Sequence, residues 1–264
     1  MWHGYLFMAL VTFYFQLHQP YRLHPDREKF LWEEKNKEVF LKVARKCYLP
    51  SLKLFVDAIE RHPKFKMTLS FSGTFLAQAK EYQPEVIWLL EQLYDVGQPN
   101  AQVEYLDETY YHSLAGLFSD PQRKEFVEQV SRHRKVMVEL FNIKPRSFLN
   151  TELMYNNEIA RVVADMGYET TLCEKRSDMY PAGTHISPNA ILKAKGTDLL
   201  VFREIENSVT TWRTGFPIHR SHPNLCGPPQ LSRWRGRYSG IRLRTHRRAY
   251  LGRQGHLRIL AAAA

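Results

Sequence analysis

After Glu206 the sequence contains no aspartate, no glutamate and no lysine, although eleven arginines occur there. Without those arginines the chain has 26 basic and 27 acidic residues, so the formal net charge of +10 belongs to the C-terminal part alone. A body that is close to neutral gives no reason to expect binding to nucleic acid or to a membrane surface.

Cysteine is also scarce. The three cysteines, Cys47, Cys173 and Cys226, are far apart and odd in number. This pattern argues against a disulfide framework and favours a reducing, cytoplasmic compartment. No group of Cys and His residues has the spacing of a zinc site, so no metal is expected.

The apolar run Tyr5–Leu17 has no lysine or arginine ahead of it and no small-residue cleavage site, so it is not predicted to be a signal peptide. It is also too short to span a bilayer. Its second half, Val11–Leu17, is predicted to be a buried first strand, and Met1–Leu10 is interpreted as an extension.

Strand-like and helix-like segments alternate from there to residue 203, without an internal repeat of solenoid spacing. The predicted strands are 11–17, 65–71, 101–106, 144–149, 169–173 and 199–203, and the predicted helices are 38–61 (interrupted at Pro50), 84–96, 123–141 and 156–166. This alternation is typical of parallel strands covered by helices, so the sequence predicts an α/β fold.

The stretch Phe148–Ile159 is the most informative part of the chain. An apolar strand stops at a polar turn, and a helix begins near Asn156, a good N-cap residue. Glu152 therefore follows the C-terminal end of a strand, the edge at which catalytic side chains gather in α/β barrels. A solvated loop carboxylate is the alternative interpretation of Glu152.

Three segments carry a resemblance, in a consistent order and spacing. Phe148–Leu153 is similar to the motif Phe-Arg-Asn-Thr-Glu-Leu, with Leu149 in place of the arginine, which removes a positive charge near Glu152. Residues 15–23 read Phe-Gln-Leu-His-Gln-Pro-Tyr-Arg-Leu, and residues 101–112 are similar to Gly-x-Val-Glu followed by Thr-Tyr-Tyr-His, with Ala101 in place of the glycine. Over residues 13–206 the chain thus resembles glycoside hydrolase family 57.

The resemblance implies an incomplete (β/α)7 barrel, a distorted relative of the TIM barrel, of which six strands are visible and the closing strand is missing. It implies a retaining enzyme of the α-amylase or 4-α-glucanotransferase type that acts on α-glucan or maltooligosaccharide without a cofactor. Glu152 would be the nucleophile, and the substrate would be bound by His18, Gln19, Glu104, Tyr110 and His112. Without the resemblance, His18 would be interpreted as structural, and one of Tyr110 and Tyr111 as an ordinary half-buried aromatic residue.

Residues 213–264 lack apolar periodicity and are rich in Arg, His, Pro and Gly. When each codon is read one base further on, Arg242–Arg244 can encode Asp-Tyr-Glu, and Gln254–Leu260 can encode Lys-Gly-Ile-Phe-Glu-Phe-Leu. The first peptide resembles the fourth conserved region of the family, and the second resembles the sequence shortly after that region. Thr245 and His246 do not fit. We therefore interpret residues 1–212 as a truncated barrel domain and residues 213–264 as a basic, out-of-frame, disordered tail.

The family's acid/base is the aspartate of that fourth region, and Arg242 stands in its place. Retaining glycosidases need two carboxyl groups about 5–5.5 Å apart. Asp198 and Glu204 flank the sixth strand, but neither matches the motif. The sequence therefore predicts half of an active site and a chain that is inactive as it stands.

Two other classes of function stay open on the sequence alone. One is a non-catalytic carbohydrate-binding remnant of the same fold. The other is a protein that binds polyanions through its basic tail. A metal-dependent deacetylase on a related barrel is disfavoured, because a His-x-x-x-His pair with a partner aspartate is missing.

Overall fold

The computed structural model describes residues 10–26, 30–118, 120–174, 190–203 and 257–262. In this part of the chain eight strands occur: β1 (Leu10–Leu17), β2 (Met67–Phe71), β3 (Val103–Leu106), β4 (Ser147–Leu149), β5 (Thr170–Cys173), β6 (Leu192–Lys193), β7 (Leu200–Arg203) and β8 (Leu257–Ala262). Six of them, β1 to β5 and β7, run parallel. These six are the strands that the sequence predicts.

The strands form two four-stranded sheets, with orders β3-β2-β1-β8 and β4-β5-β7-β6 within the described residues. The sheets meet at Asp107, just after β3. Its backbone N–H donates to the carbonyl of Ser147 (3.0 Å), and its carbonyl accepts from the N–H of Leu149 (2.7 Å). The six parallel strands therefore follow one another as a single curved wall.

Six α-helices connect the described strands: α1 (Glu33–Val43), α2 (Leu49–Arg61), α3 (Gly73–Tyr82), α4 (Glu85–Gly97), α5 (Lys124–Phe141) and α6 (Asn157–Asp165). A π-helical turn, Ala44–Tyr48, separates α1 from α2 and ends two residues before Pro50. Proline lacks an N–H and its ring clashes with the preceding turn, which accounts for the widened turn at this point. None of the helices in the described ranges is long and apolar enough to cross a membrane.

Side chains alternate between the two faces of the wall, as the two-residue period of a strand requires. On the helical face, the rings of Phe15 and Phe55 lie 4.5 Å apart, and the Tyr105 hydroxyl donates to the carbonyl of Leu90 (2.6 Å). On the opposite face, the hydroxyls of Tyr14 and Ser70 lie 2.7 Å apart. The small apolar cluster on this inner face consists of Tyr14, Leu106, Leu149, Leu153 and Leu172.

Three elements differ from the sequence predictions. The prediction contains neither α3 nor the two-residue strand β6. It also treats all of residues 213–264 as disordered, whereas Leu257–Ala262 form β8, which pairs antiparallel with β1 from Leu10↔Ala262 to Phe15↔Leu257. The backbone of β8 also approaches β7. Glu204 and Arg242 lie outside the described residues.

Candidate active site

Polar side chains gather where β1, β2, β3 and β4 end. His18 follows β1 directly, Ser72 follows β2 directly, Glu108 lies two residues beyond β3, and Glu152 lies three residues beyond β4. Because the strands are parallel, these positions share one edge of the wall. Active sites of parallel α/β folds form at this edge.

His18 is anchored by the element that follows β2. Its Nδ1 lies 2.7 Å from the hydroxyl of Ser72, which also caps α3 by accepting from the N–H of Phe75 (3.2 Å). The rings of His18 and His112 lie 4.5 Å apart. Burial, followed by the charge of His112, lowers the pKa of His18 to about 4, so this imidazole is neutral at pH 7.

His112 is the positive group of the site. Its Nδ1 lies 3.4 Å from Oε1 of Glu108, and its Nε2 lies 3.7 Å from Oε1 of Glu152. Burial alone would lower the pKa of His112, but the two carboxylates outweigh it and raise the pKa to about 9. His112 is therefore an imidazolium at neutral pH, and it supplies the charge near Glu152 that the sequence, with Leu149 in place of arginine, did not lead us to expect.

Glu152 sits in a tight turn. The 3₁₀ turn Thr151–Leu153 is capped by the side chain of Asn150, which accepts from the N–H of Thr151 (3.0 Å). Glu152 and Leu153 have φ angles of +54° and +55°, and His112 has +53°. Non-glycine residues in this left-handed region carry strain of about 1–3 kcal/mol each, and such residues cluster at functional sites. The turn leaves the Glu152 side chain 49% exposed.

Glu108 is a site residue that the sequence prediction missed. Its side chain has no exposed surface, and neither carboxylate oxygen has a hydrogen-bond partner among the described residues, so its contact with His112 is an ion pair rather than a hydrogen bond. Burial opposes ionisation, but the interaction with His112, with smaller effects from His133 and His18, lowers the pKa of Glu108. The sequence did contain a signal for Glu108. If the two-residue period of the β3 side chains is continued beyond the strand, Glu108 falls on the same inner face as Leu106.

The structure does not bring Glu104 to this group. It is the second residue of β3, near the opposite edge, where its Oε1 accepts from the hydroxyl of Ser147 at the start of β4 (2.5 Å). Four residues of extended chain correspond to roughly 13 Å, which separates Glu104 from Glu108. Glu104 therefore lies away from His18 and Glu152, and its role in substrate binding stays a prediction.

Gln19 and Tyr110 flank the site and make structural contacts. The Gln19 side-chain amide donates to the hydroxyl of Tyr48 (2.9 Å), which links the end of β1 to the turn before α2. The Tyr110 ring lies against Gly73, where an added Cβ would come within 2.2 Å of it, and the Arg132 guanidinium lies 4.3 Å from the ring centre. Gly73 is thus required for Tyr110 to pack at the start of α3.

Asp198 is also away from the site. It precedes β7 at the opposite edge, is almost fully exposed, and pairs with Lys193 at 2.5 Å. Within the described residues, the carboxylates near His112 are therefore Glu108, which is sealed from solvent, and Glu152, which is exposed.

The sequence profile of Glycosyl hydrolase family 57 matches residues 12–211. The chain belongs to glycosyl hydrolase family 57. Within this family, it is 40% identical over 173 residues to a protein of Methanocaldococcus jannaschii that carries the provisional name alpha-amylase. That match covers 62% of this chain and 36% of the M. jannaschii protein.

Solved structures show the same fold at low sequence identity. The 4-alpha-glucanotransferase of Thermococcus litoralis matches with a TM-score of 0.57 and 19% identity, over 80% of this chain and 29% of that one. A family 57 branching enzyme of Thermococcus kodakaraensis matches with a TM-score of 0.55 and 14% identity, over 77% of this chain and 48% of that one. This family 57 chain therefore spans about a third of the M. jannaschii relative and less than half of either enzyme.

Proposed function

We propose that this family 57 chain represents part of a retaining enzyme that hydrolyses or transfers α-1,4-glucan, with Glu152 as the nucleophile. The observation that carries the proposal is the setting of Glu152, an exposed carboxylate in a left-handed turn at the C-terminal edge of the strands, 3.7 Å from a charged histidine. The names of the M. jannaschii and T. litoralis relatives support the substrate class. Maltooligosaccharide is the proposed partner.

In the proposed reaction the Glu152 carboxylate attacks the anomeric carbon, the bond from that carbon to the leaving oxygen breaks, and a glycosyl-enzyme forms. His18, oriented by Ser72, and Tyr110, packed at the start of α3, would contact the sugar. Water or a second sugar would then release the glycosyl group with net retention. Gln19 would act through its link to Tyr48, and the position of Glu104 gives no support for contact with substrate.

The same reaction needs a second carboxyl group to protonate the leaving oxygen and later to activate water. Glu108 is unsuited to this role, because it has no exposed surface and pairs with His112. Asp198 pairs with Lys193 at the other edge of the strands. We therefore propose that the chain by itself lacks the acid/base and does not turn over unactivated glucans.

We also propose that the fold is an incomplete (β/α)7 barrel and that residues 213–264 arise from a shifted reading frame. The family match stops at residue 211, next to the proposed boundary at 212. A cytoplasmic setting is proposed on the basis of Cys47 and Cys173, both of which are free. Reading the coding DNA downstream of Trp212 in all three frames tests the tail. The expected result is a continuous family 57 sequence in the next frame, and its absence from every other frame would contradict the proposal.

The role of Glu152 is tested with an α-glucosyl fluoride, a substrate whose leaving group needs little protonation. We expect intact-protein mass spectrometry to detect a slowly formed adduct of one hexosyl unit, which persists because no base activates water. Glu152→Gln should abolish the adduct. Glu158→Gln, a change at an exposed glutamate of α6 that pairs with Arg123, is the matched control and should leave labelling intact.

Three results would each overturn a part of the proposal. Equal labelling of the parent and Glu152→Gln would assign the nucleophile elsewhere. Binding of maltooligosaccharide without any adduct would favour the non-catalytic carbohydrate-binding alternative. Rapid hydrolysis of unactivated maltooligosaccharide would show that a second carboxyl group serves the site.

A further inference from the structure

We propose that Glu108 is a positioning residue that holds His112 in place as the positive charge beside Glu152. This proposal extends the proposed function. It rests on that function only in the role that the reaction gives to the positive charge of His112. Glu108 itself has no exposed surface and no access to substrate, so it acts through His112.

The geometry is that of a relay with three members. Glu108 Oε1 lies 3.4 Å from Nδ1 of His112, and the opposite ring nitrogen, Nε2, lies 3.7 Å from Oε1 of Glu152. The imidazole thus bridges a buried carboxylate and an exposed one, and only 3% of its own side chain is exposed. A histidine placed in this way can be charged only if the buried carboxylate compensates the cost of its desolvation.

The surroundings of the relay favour one protonation state. The ionisable groups that act on His112 are Glu108 and Glu152, which raise its pKa, and those that act on Glu108 from neighbouring elements are His112, His133 and His18. His18 stacks on His112 and is neutral, because burial and the charge of His112 lower its pKa to about 4. The site therefore holds one charged histidine and one neutral histidine side by side.

The side chain of Gln16 also faces this ring. Its nitrogen Nε2 lies 3.2 Å from Nδ1 of His112. An imidazolium has no lone pair on either nitrogen, so it can only donate. The charged state in the proposal therefore requires the Gln16 amide to be flipped, with its oxygen in the place of Nε2 as an acceptor.

The relay also explains the isolation of Glu108. Its two oxygens make no hydrogen bond within the described residues, an arrangement that is costly for a buried carboxylate and is rare unless a function requires it. A carboxylate with a full set of donors would have its charge shared among them. Glu108 instead directs its charge at one imidazole, and that imidazole faces the proposed nucleophile.

The test is an NMR titration of the histidine side chains in the full chain, with the His112 signals assigned by their loss in His112→Gln. In the parent we expect His112 to titrate near pH 9. In Glu108→Gln we expect its pKa to fall by about 1–3 units, the usual effect of one close opposite charge. Glu152→Gln should give a smaller fall, because its carboxylate is farther from the ring and half exposed.

Glu104→Gln is the matched control, since it removes a carboxylate from the same strand at the opposite edge and should leave the His112 titration unchanged. An unchanged titration in Glu108→Gln would overturn the proposal. If Glu108→Gln fails to fold, the parent alone still decides, because a His112 ring that is neutral at pH 8 is incompatible with a charged relay.

The readout also separates this proposal from the proposed function. A raised His112 pKa that depends on Glu108, together with no hexosyl adduct on Glu152, supports the relay and contradicts the nucleophile. An adduct on Glu152 in a chain whose His112 titrates near 6.5 supports the nucleophile and contradicts the relay.

Discussion

Asp107 and Glu108 are neighbours in the sequence, both side chains have no exposed surface, and each is paired with a histidine. The two lie on opposite faces of the strands and differ in how completely they are bonded. Asp107 interacts with Nδ1 of His133 (2.5 Å), the hydroxyl of Tyr168 (2.6 Å) and Nε of Arg134 (3.3 Å). Glu108 has no hydrogen-bond partner within the described residues.

The difference distinguishes a structural carboxylate from one that serves a site. On the helical face, Asp107 fixes α5 and the start of β5 to the end of β3, and Nε2 of His133 reaches the carbonyl of Phe71 (2.7 Å). On the inner face, Glu108 is paired with His112, which itself faces the proposed nucleophile. Burial and charge are the same in the two cases, so hydrogen-bond saturation is the property that separates them.

The largest effect on stability is expected when Asp107 loses its charge. Asp107→Asn should lower the free energy of unfolding by about 3–5 kcal/mol, because it leaves a buried histidine and a neighbouring arginine without their counter-charge. Urea denaturation followed by circular dichroism measures this change. A loss below about 1 kcal/mol would contradict a structural role.

Glu108→Gln is the isosteric partner of that experiment. We expect it to lower the free energy of unfolding at pH 7 by about 1–3 kcal/mol, because His112 loses its counter-charge and its pKa falls, although no hydrogen bond to a described residue is lost. A loss as large as that of Asp107→Asn would show that the two carboxylates are equivalent.

The dependence of stability on pH sharpens the comparison. The folded pKa of His112 is about 9, above the ordinary value of 6.5, so the folded chain binds this proton more tightly than the unfolded chain does. The stabilising contribution is complete below pH 6.5 and is lost as the pH rises through 9. The shift corresponds to about 3 kcal/mol.

The measurement is urea denaturation of the parent and of His112→Gln between pH 6 and 10. The comparison of the two chains is needed because His133 also has a raised pKa, and the difference between the two curves isolates the contribution of His112. His18 has the opposite sign, since its folded pKa of about 4 means that stability falls as the pH drops from 6.5 to 4. Parallel curves for the two chains above pH 6.5 would contradict a charged His112.

The parallel strands could be predicted because their apolar residues occur in short runs with clear ends. α3 was missed because it begins one residue after β2, and the only start signal is Ser72 followed by an apolar stripe that includes Phe75 and Ala79. Residues 257–262 were not predicted as a strand because the acid-free tail shows no alternating pattern. The pairing of β8 with β1 is a long-range contact that local sequence does not specify.

The candidate site was predictable in part. His18, His112 and Glu152 follow strand ends and carry the family motifs, so their convergence follows from the parallel topology. Glu108 was overlooked because its role depends on burial between loops that are far apart in sequence. The distance of Glu104 from the other site residues could not be predicted, because the motif gives its residue type and not its height along β3.

The junction between the two four-stranded sheets has a mechanical consequence. Within the described chain, Asp107 is the residue through which backbone hydrogen bonds cross from β3 to β4, and this joint lies directly beneath the candidate site. His18 and Glu108 belong to one side of it, and Glu152 belongs to the other. Tyr14 and Leu106 on one side of the joint pack with Leu149, Leu153 and Leu172 on the other. The gap between His112 and Glu152 is therefore set by the packing across this joint together with its two backbone hydrogen bonds.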